Sequence, residues 1–339
     1  MARILIVSDA WHPQTNGVVT TLANICVQAK SQNDTVTLIH PGTFGKKIVK
    51  SYPNLSIYHI PEYQILSYLD EEYDHVHIAT PETCLGSHFV KTCNKYKLNY
   101  TTAYHTKFPE FLQANYFLPT MFGWAWINYV LKNSMNIITT TPSMVNELQQ
   151  KIQNQKIIPW IRGVDHVKFQ QKVDLDNVRK MCGHPIVITV GRISPEKSIE
   201  DFCKCQFGER QTKIVIGDGP DKDYLAKKYS DVIFVGYQKH EELIQWYQAA
   251  DCFVFTSKKD TLGAVMLEAM ACGTPVAAYP VTGPIDIIKN GVNGWTADDL
   301  EFAVKKCLDI DRNSVYNESL KFSWAESYVQ FKNALTKKV

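Results

Sequence analysis

The 339-residue chain contains no C-x-x-C pair, no run of basic residues, no internal repeat and no low-complexity tract. Each absence removes a class of protein. Nine cysteines lie without framework spacing, among them a lone C-x-C at Cys203 and Cys205. That usage fits reduced thiols in a cytosol better than bridges or a zinc site. Lys+Arg 36 against Asp+Glu 34 leaves a net charge of +2, so no bulk field points to nucleic acid. No complete G-x-G-x-x-G occurs either. Gly217-x-Gly219 begins one, but Lys222 stands where the third glycine belongs, and Asp9-Ala10-Trp11 after the first apolar run has none of it. An NAD-dependent oxidoreductase is thereby rejected. Met1–Asp9 runs straight into a strand pattern, leaving no room for a signal peptide, so a cytoplasmic location is expected.

One stretch lacks charge altogether. Phe111 to Leu131 carries no charged residue and holds Phe117, Phe122, Trp124, Trp126 and Tyr129. Its length would span a bilayer, but Gln113, Asn115, Pro119, Thr120 and Asn128 make a spanning helix costly. A buried helix pair with a loop near Pro119 is expected, with a monotopic surface dipping into lipid headgroups as the functional alternative.

What is present is a steady alternation of short β-branched runs and helical stretches. Ile4–Val7, Val36–Ile39, Ile57–Ile60, Val76–Ala79, Tyr100–Tyr104 and Ile137–Thr140 read as strands of a first series. Ile186–Val190, Lys213–Ile216, Val232–Val235, Cys252–Thr256 and Pro275–Ala278 read as a second. Runs this short and this apolar, with helices between, imply parallel strands covered on both faces. Two such series imply an α/β protein of two Rossmann-like, doubly wound domains. The expected division is 1–165 for a first domain and 166–315 for a second. Residues 316–339, with Phe322, Trp324 and Tyr328 on one apolar face, form a helix returning toward the first domain.

The chemistry concentrates in the second series. Strand Ile186–Val190 ends in Gly191-Arg192, with Lys197 five residues beyond the arginine; Ser194-Pro195 reads as a helix start. A guanidinium fork and an ammonium at the carboxyl edge of a parallel sheet suit a diphosphate leaving group. Strand Cys252–Thr256 leads into Asp260-Thr261-Leu262-Gly263 and a helix carrying Glu268. Gly263 permits close backbone approach at a helix N-terminus. Glu268 then lies about 7–8 Å further along the axis, the separation of the two sugars flanking a pyrophosphate.

These residues carry a resemblance. Gly191-Arg192 with Lys197, then Asp260-x7-Glu268 followed by Ala269-Met270-Ala271-Cys272-Gly273-Thr274-Pro275-Val276, is similar to family 4 of the retaining glycosyltransferases. Gly217-Asp218-Gly219-Pro220 and Phe234-Val235-Gly236-Tyr237 resemble further landmarks of that family. So do Asp9-x-Trp11-x-Pro13-x3-Gly17-Val18-Val19, Tyr104-His105-Thr106, Arg162-Gly163-Val164-Asp165 and Phe322-Ser323-Trp324. The order is kept over nearly the whole chain. The resemblance implies a GT-B fold and transfer of a hexose from UDP- or GDP-hexose, without a metal and with retained configuration. It implies Arg192 and Lys197 on the diphosphate, Asp260 on the hexose and Glu268 on the ribose. Gly17 would close over the phosphates and His105 would touch the hexose. Gly217, Gly219, Gly236, Tyr237, Leu262 and Gly263 would complete the donor site, with base selection around Gly236-Tyr237. Asp260 and Asp286 depart from the pattern, standing where the family commonly carries glutamate.

Asp9-to-Val19 and Tyr104-to-Thr106 look most like members that glycosylate membrane lipids or lipid-linked sugars. The expected acceptor is therefore a lipid or saccharide, with peripheral contact to a cytoplasmic membrane face. Asp9 and His12 are candidates for meeting the acceptor. A sugar-nucleotide epimerase, or a transferase to a soluble acceptor, is the alternative. His75 and His77 share a strand face but lack a third ligand, so they read as strand core. Asp174-x-Asp176 and Asp309-x-Asp311 read as surface charge.

Overall fold

A computed structural model describes residues 1–14, 16–46, 57–152, 156–175, 178, 182 and 184–338. The chain divides into two compact units, one of Met1–Arg162 with Trp324–Val339, the other of Gly163–Ser323.

The first unit is built on a six-stranded parallel sheet in the order β2-β1-β3-β4-β5-β6. Its strands are β1 (Arg3–Val7), β2 (Thr35–Ile39), β3 (His75–Ile78), β4 (Thr101–Tyr104), β5 (Asn136–Thr139) and β6 (Ile157–Pro159). Ile4, Leu5, Ile6 and Val7 are all buried, without the alternation of a one-faced sheet, because helices cover both sides. Residues 57–60 are described and form no strand; the chain there leads directly into the helix Glu62–Leu69. The sixth strand is instead Ile157–Pro159, an edge strand whose Pro159 has no ladder donor to lose. The last helix, Trp324–Ala334, belongs to this unit, where Tyr328 and Phe331 join Ile4, Ile6 and Leu22 in one core. Asp34 fastens it, accepting from Tyr328 Oη at 2.8 Å and Lys332 Nζ at 2.5 Å. Trp160, fully buried, donates from Nε1 to the Ser327 carbonyl at 2.8 Å.

The charge-free stretch forms a helical hairpin, Phe108–Tyr116 and Thr120–Leu131, broken at Phe117 in a left-handed conformation and at Pro119. Gly123, Ile127, Val130 and Leu131 face inward. The outer face is not buried as expected: Phe117 is 91% exposed and Met121 68%. Among the described residues, no helix is long and apolar enough to cross a membrane.

The second unit carries a parallel sheet in the order β12-β11-β10-β7-β8-β9. Its strands are β7 (Ile186–Val190), β8 (Thr212–Ile216), β9 (Val232–Gly236), β10 (Cys252–Phe255), β11 (Val276–Ala278) and β12 (Gly294–Thr296). Arg312 staples this unit, donating to the carbonyls of Ala250, Gln248 and Cys272 and to Thr274 Oγ1. These acceptors lie at the carboxyl ends of the helices His240–Ala249 and Ala264–Ala271, where a cation is favoured. Of the two D-x-D segments, Asp176 lies outside the described residues, while Asp311 caps the helix Arg312–Ser319 by accepting from Ser314 N.

Candidate active site

Strand order marks the candidate site of the second unit. The chain runs from β7 to β8 on one side and from β10 to β11 on the other, so adjacent β7 and β10 form the switch point of this sheet. Loops leaving such a pair diverge and open a crevice at the carboxyl edge. The loop after β7 carries Arg192 and Lys197, and the loop after β10 carries Asp260. Lys197 Nζ donates to both carboxylate oxygens of Asp260 at 2.7 Å each. Thr256 Oγ1 donates to the Lys197 carbonyl at 2.7 Å and Ser257 Oγ to the Glu196 carbonyl at 3.2 Å. Side chain and backbone thus tie the two loops together.

Ser194-Pro195 does open a helical turn, a single 3-10 turn at Pro195–Lys197. Ser198 turns left-handed at φ 52° before the helix Ile199–Lys204 begins. The Ser194 hydroxyl makes no cap bond and donates to Glu196 at 2.7 Å. Arg192, an exposed side chain, is drawn to the same Glu196 carboxylate, and its Nε donates to Ser194 Oγ at 3.2 Å. Glu196 is held below the usual carboxylate range, burial being outweighed by Ser194 and Arg192. Both cations are therefore paired with a carboxylate of their own unit. Glu196 was not singled out from the sequence, since a single acid between Arg192 and Lys197 reads as ordinary loop charge.

The neighbouring loop after β8 packs against this one backbone to backbone. Ile193 N donates to the Asp218 carbonyl at 2.9 Å. A Cβ on Gly217 would come within 1.9 Å of the Gly191 carbonyl oxygen, and one on Gly219 within 2.2 Å of that of Ile193. No other residue fits either position, so both glycines serve the contact between loops. At the end of β9, Gly236 has φ 86° and Tyr237 is 67% exposed.

Glu268 lies on the helix Ala264–Ala271, whose N-cap Gly263 is left-handed, beside a buried Leu262. Burial lifts its carboxyl to about 7, against the smaller opposing effects of the Tyr247 hydrogen bond and Lys168. Tyr247 Oη, on the helix His240–Ala249, donates to Glu268 at 3.0 Å. Tyr247 was missed in the sequence because its partner lies 21 residues away on another helix.

In the first unit the switch point falls between β1 and β3. Asp9, just past β1, is buried and turned toward the helix Cys84–Tyr96. It accepts from Leu85 N at 3.0 Å, Gly86 N at 3.3 Å, Tyr58 Oη at 2.5 Å and the Thr83 hydroxyl. Burial raises its pKa while these four donors oppose the shift. His12 is exposed, edge-on to Trp11 at 5.1 Å. Gly17 begins the helix Gly17–Ser31, and a Cβ there would lie 2.7 Å from Arg162 Nη1. The Arg162 charge also acts on His105, which burial first, then Arg162 and His77, keep well below the ordinary histidine value. His105 is buried with its ring 5.6 Å from Trp160. Arg162 thus joins Gly17 and His105; the sequence offered it only as part of Arg162-Gly163-Val164-Asp165. His77 is buried edge-on to Phe331 at 5.0 Å, and His75 Nδ1 meets the Thr336 carbonyl at 2.9 Å. Among the described residues, no group of three or more His, Cys, Asp or Glu is placed to hold a metal.

Residues 15–168 match the family described as Glycosyltransferase Family 4, and residues 170–304 that described as Glycosyl transferases group 1. A GDP-mannose-dependent alpha-mannosyltransferase of Corynebacterium glutamicum is 26% identical over 92% of this chain and 82% of its own. An alpha-monoglucosyldiacylglycerol synthase of Streptococcus pneumoniae is 24% identical over 82% of this chain and 71% of its own. Among solved structures, Anabaena HepE in complex with UDP and glucose superposes with a TM-score of 0.74 at 18% identity, covering 98% of this chain and 99% of that one. Sucrose-phosphate synthase from Thermosynechococcus elongatus gives 0.77 at 18%, covering 98% of each. These likenesses establish the GT-B fold of two Rossmann-like domains.

Proposed function

The chain belongs to the family 4 glycosyltransferases and is a hexosyltransferase; we propose that it carries a hexose from UDP- or GDP-hexose to a membrane lipid or lipid-linked sugar, retaining the α configuration. The observation that carries the reading is the Lys197–Asp260 pair bridging the switch point of the second sheet. An ammonium and a carboxylate fixed there match what a hexose diphosphate presents, anionic phosphates beside neutral hydroxyls. Arg192 and Lys197 take the diphosphate, Asp260 takes hexose hydroxyls and Glu268 those of the ribose. The glycines at 217, 219, 236 and 263, with Leu262 and Tyr237, shape the donor pocket.

The bond broken is that between the anomeric carbon and the donor's phosphate oxygen. As negative charge develops on that oxygen, Arg192 and Lys197 offset it, a contribution of several kcal/mol in a dry site. The acceptor hydroxyl attacks from the face the nucleotide leaves, and its proton passes to the departing phosphate. No metal is needed for these steps. His105, held neutral by its surroundings, touches the hexose rather than acting as base, and Gly17 lets its loop approach the phosphates. Asp9 and His12 stand on the acceptor side. The enzyme works at the cytoplasmic face of a membrane.

The relatives that are GDP-mannose-dependent put GDP first in the search for a donor, with UDP second. A thermal-shift screen with GDP, UDP, GDP-mannose and UDP-glucose, without added metal, tests the site. Stabilisation by one nucleotide family, followed by donor turnover only when a lipid acceptor is present, is the expected result. No shift with any of the four would remove the donor assignment.

A further inference from the structure

Tyr247 and Glu268 meet from two helices of the second unit, 21 residues apart in the chain. Tyr247 Oη donates to Glu268 Oε2 at 3.0 Å. The two partners differ in their surroundings. Tyr247 is fully buried, whereas Glu268 keeps part of its surface accessible. The bond therefore runs from the interior outward, and the carboxylate is the member of the pair that a solute can reach.

The phenol has little freedom of its own. Its ring packs edge-on against Phe169 and Phe253, with centroids 6.2 and 5.8 Å away. Its backbone carbonyl accepts from Thr274 Oγ1, to which Arg312 Nη2 donates at 2.9 Å. Arg312 Nη2 also donates to the carbonyl of the next residue, Gln248, at 3.0 Å. A chain of donors thus leads from Arg312 through Thr274 and Tyr247 to one oxygen of Glu268.

A hydroxyl at a fully buried position is unfavourable unless it is bonded, and a phenylalanine would fill the same space without that demand. A glutamate side chain has several rotatable bonds ahead of its carboxylate, and it needs an anchor if it is to meet a ligand in one orientation. An ionised carboxylate offers about four acceptor sites. With one of those on Oε2 taken by Tyr247, the plane of the group is fixed and Oε1 is left for a ligand.

We infer that Tyr247 is a positioning residue: it holds the Glu268 carboxylate in the orientation that accepts the vicinal hydroxyls of the donor's ribose. The inference rests on the reading of Glu268 as the group that binds ribose, and it deepens that reading by naming what orients the carboxylate. Tyr247 touches no substrate and acts through Glu268 alone. Its contribution is preorganisation, so it appears in nucleotide affinity and hence in KM, while kcat is set by the groups on the phosphates and the hexose.

The test uses the full chain. Calorimetric titration measures its affinity for GDP and UDP and for their dideoxyribose counterparts, whose sugar lacks the vicinal hydroxyls. The readout is the ratio of ribose to dideoxyribose affinity within one protein. Any loss of folded protein lowers both affinities by the same factor and cancels in that ratio. Wild type should prefer the ribose form, Glu268→Ala should abolish the preference, and Tyr247→Phe should reduce it by about five- to ten-fold. With a nucleotide-sugar donor, Tyr247→Phe should raise KM by a similar factor and keep kcat within about two-fold. Adding Tyr247→Phe to Glu268→Ala should change the ratio no further, because the phenol has then lost the group it orients. A wild-type ratio in Tyr247→Phe overturns the inference, and the reading of Glu268 stands if Glu268→Ala still abolishes the preference. A loss in Tyr247→Phe that persists in full in the Glu268→Ala background overturns it as well. A wild type that binds both sugar forms equally, or binds neither nucleotide, removes the ribose reading and the inference with it.

Discussion

Lys197 Nζ sits 2.7 Å from each of the two carboxylate oxygens of Asp260, although 63 residues separate them. The pair is partly buried, with side chains 27% and 24% exposed, so its own contribution to stability is modest, up to about 1 kcal/mol. On the proposed reading, its importance lies in what happens when a donor arrives. Phosphate oxygens compete with Asp260 for the ammonium, and hexose hydroxyls can donate to the carboxylate so released. On that reading the pair is a preformed polar seat that a diphosphate sugar would divide between its two halves.

Lys197→Ala should accordingly melt close to wild type yet lose turnover by about 10²–10³-fold, the cost of one preorganised charge at a leaving group. Asp260→Ala should lose activity comparably, with the loss depending on the hexose offered. Asp260→Glu restores the length common in the family and should stay within about ten-fold of wild type. Steady-state kinetics with two hexose donors measure all three. An alanine at either position with unaltered kcat/KM would detach the pair from catalysis.

Gly17 and Arg162 invite a double-mutant cycle. A Cβ on Gly17 falls 2.7 Å from Arg162 Nη1, so Gly17→Ala must displace the guanidinium. Arg162→Ala removes the obstacle. If the glycine serves only that contact, the double variant should regain the stability lost by Gly17→Ala, a coupling of about 0.5–3 kcal/mol. If close approach to a ligand also requires glycine, the double variant should be stable but weak in donor affinity. Chemical denaturation and nucleotide titration separate the two results.

These residues also mark how far the sequence could be read. The runs Ile4–Val7, Ile186–Val190 and Cys252–Phe255 were legible because a strand covered on both faces is apolar throughout, whatever its neighbours. Ile57–Ile60 has the composition of a strand but no place in the sheet, whose edge is completed by Ile157–Pro159. That short run ends in proline, as an edge permits and a sequence pattern does not advertise. Gly294–Thr296, three residues with a glycine and a tryptophan, was missed for the same reason of length. The break near Pro119 was legible from the proline, whereas the exposure of Phe117 depends on packing. Arg192, Lys197, Asp260 and Glu268 stood out as motif residues. Their internal partners, Glu196 and Tyr247, emerge only when loops and helices are folded together.

Asp9 tests the difference between a structural carboxylate and a recognising one. Four donors of its own unit occupy it, two of them the backbone amides of Leu85 and Gly86 in the first turn of the helix Cys84–Tyr96. Asp9→Ala leaves these donors without a partner in a buried position and should cost about 2–4 kcal/mol. Asp9→Asn, which keeps the shape but loses the charge facing a helix N-terminus, should cost less. Urea denaturation gives the stabilities, and the acceptor KM of the folded Asn variant gives the other half. An unchanged KM would confine Asp9 to holding the helix; a raised one would add contact with the acceptor.

Glu268 should make both stability and nucleotide affinity depend on pH, in opposite senses. Its carboxyl is lifted from about 4.5 to about 7, chiefly by burial, so the folded protein binds this proton more tightly than the unfolded chain. The stability this confers is complete below the unfolded value and is lost as pH rises through about 7. Glu268→Gln removes the ionisable group, so its melting temperature relative to wild type should climb between pH 5 and pH 8. The span corresponds to roughly 1–3 kcal/mol. If Glu268 holds the ribose as proposed, binding runs the other way, because hydroxyls donate best to the ionised carboxylate. Wild-type affinity for the nucleotide should rise with pH over the same interval, while the Gln variant should bind weakly and without that slope. A flat wild-type profile would mean that the Tyr247–Glu268 bond, and not the ribose, is what this carboxyl serves.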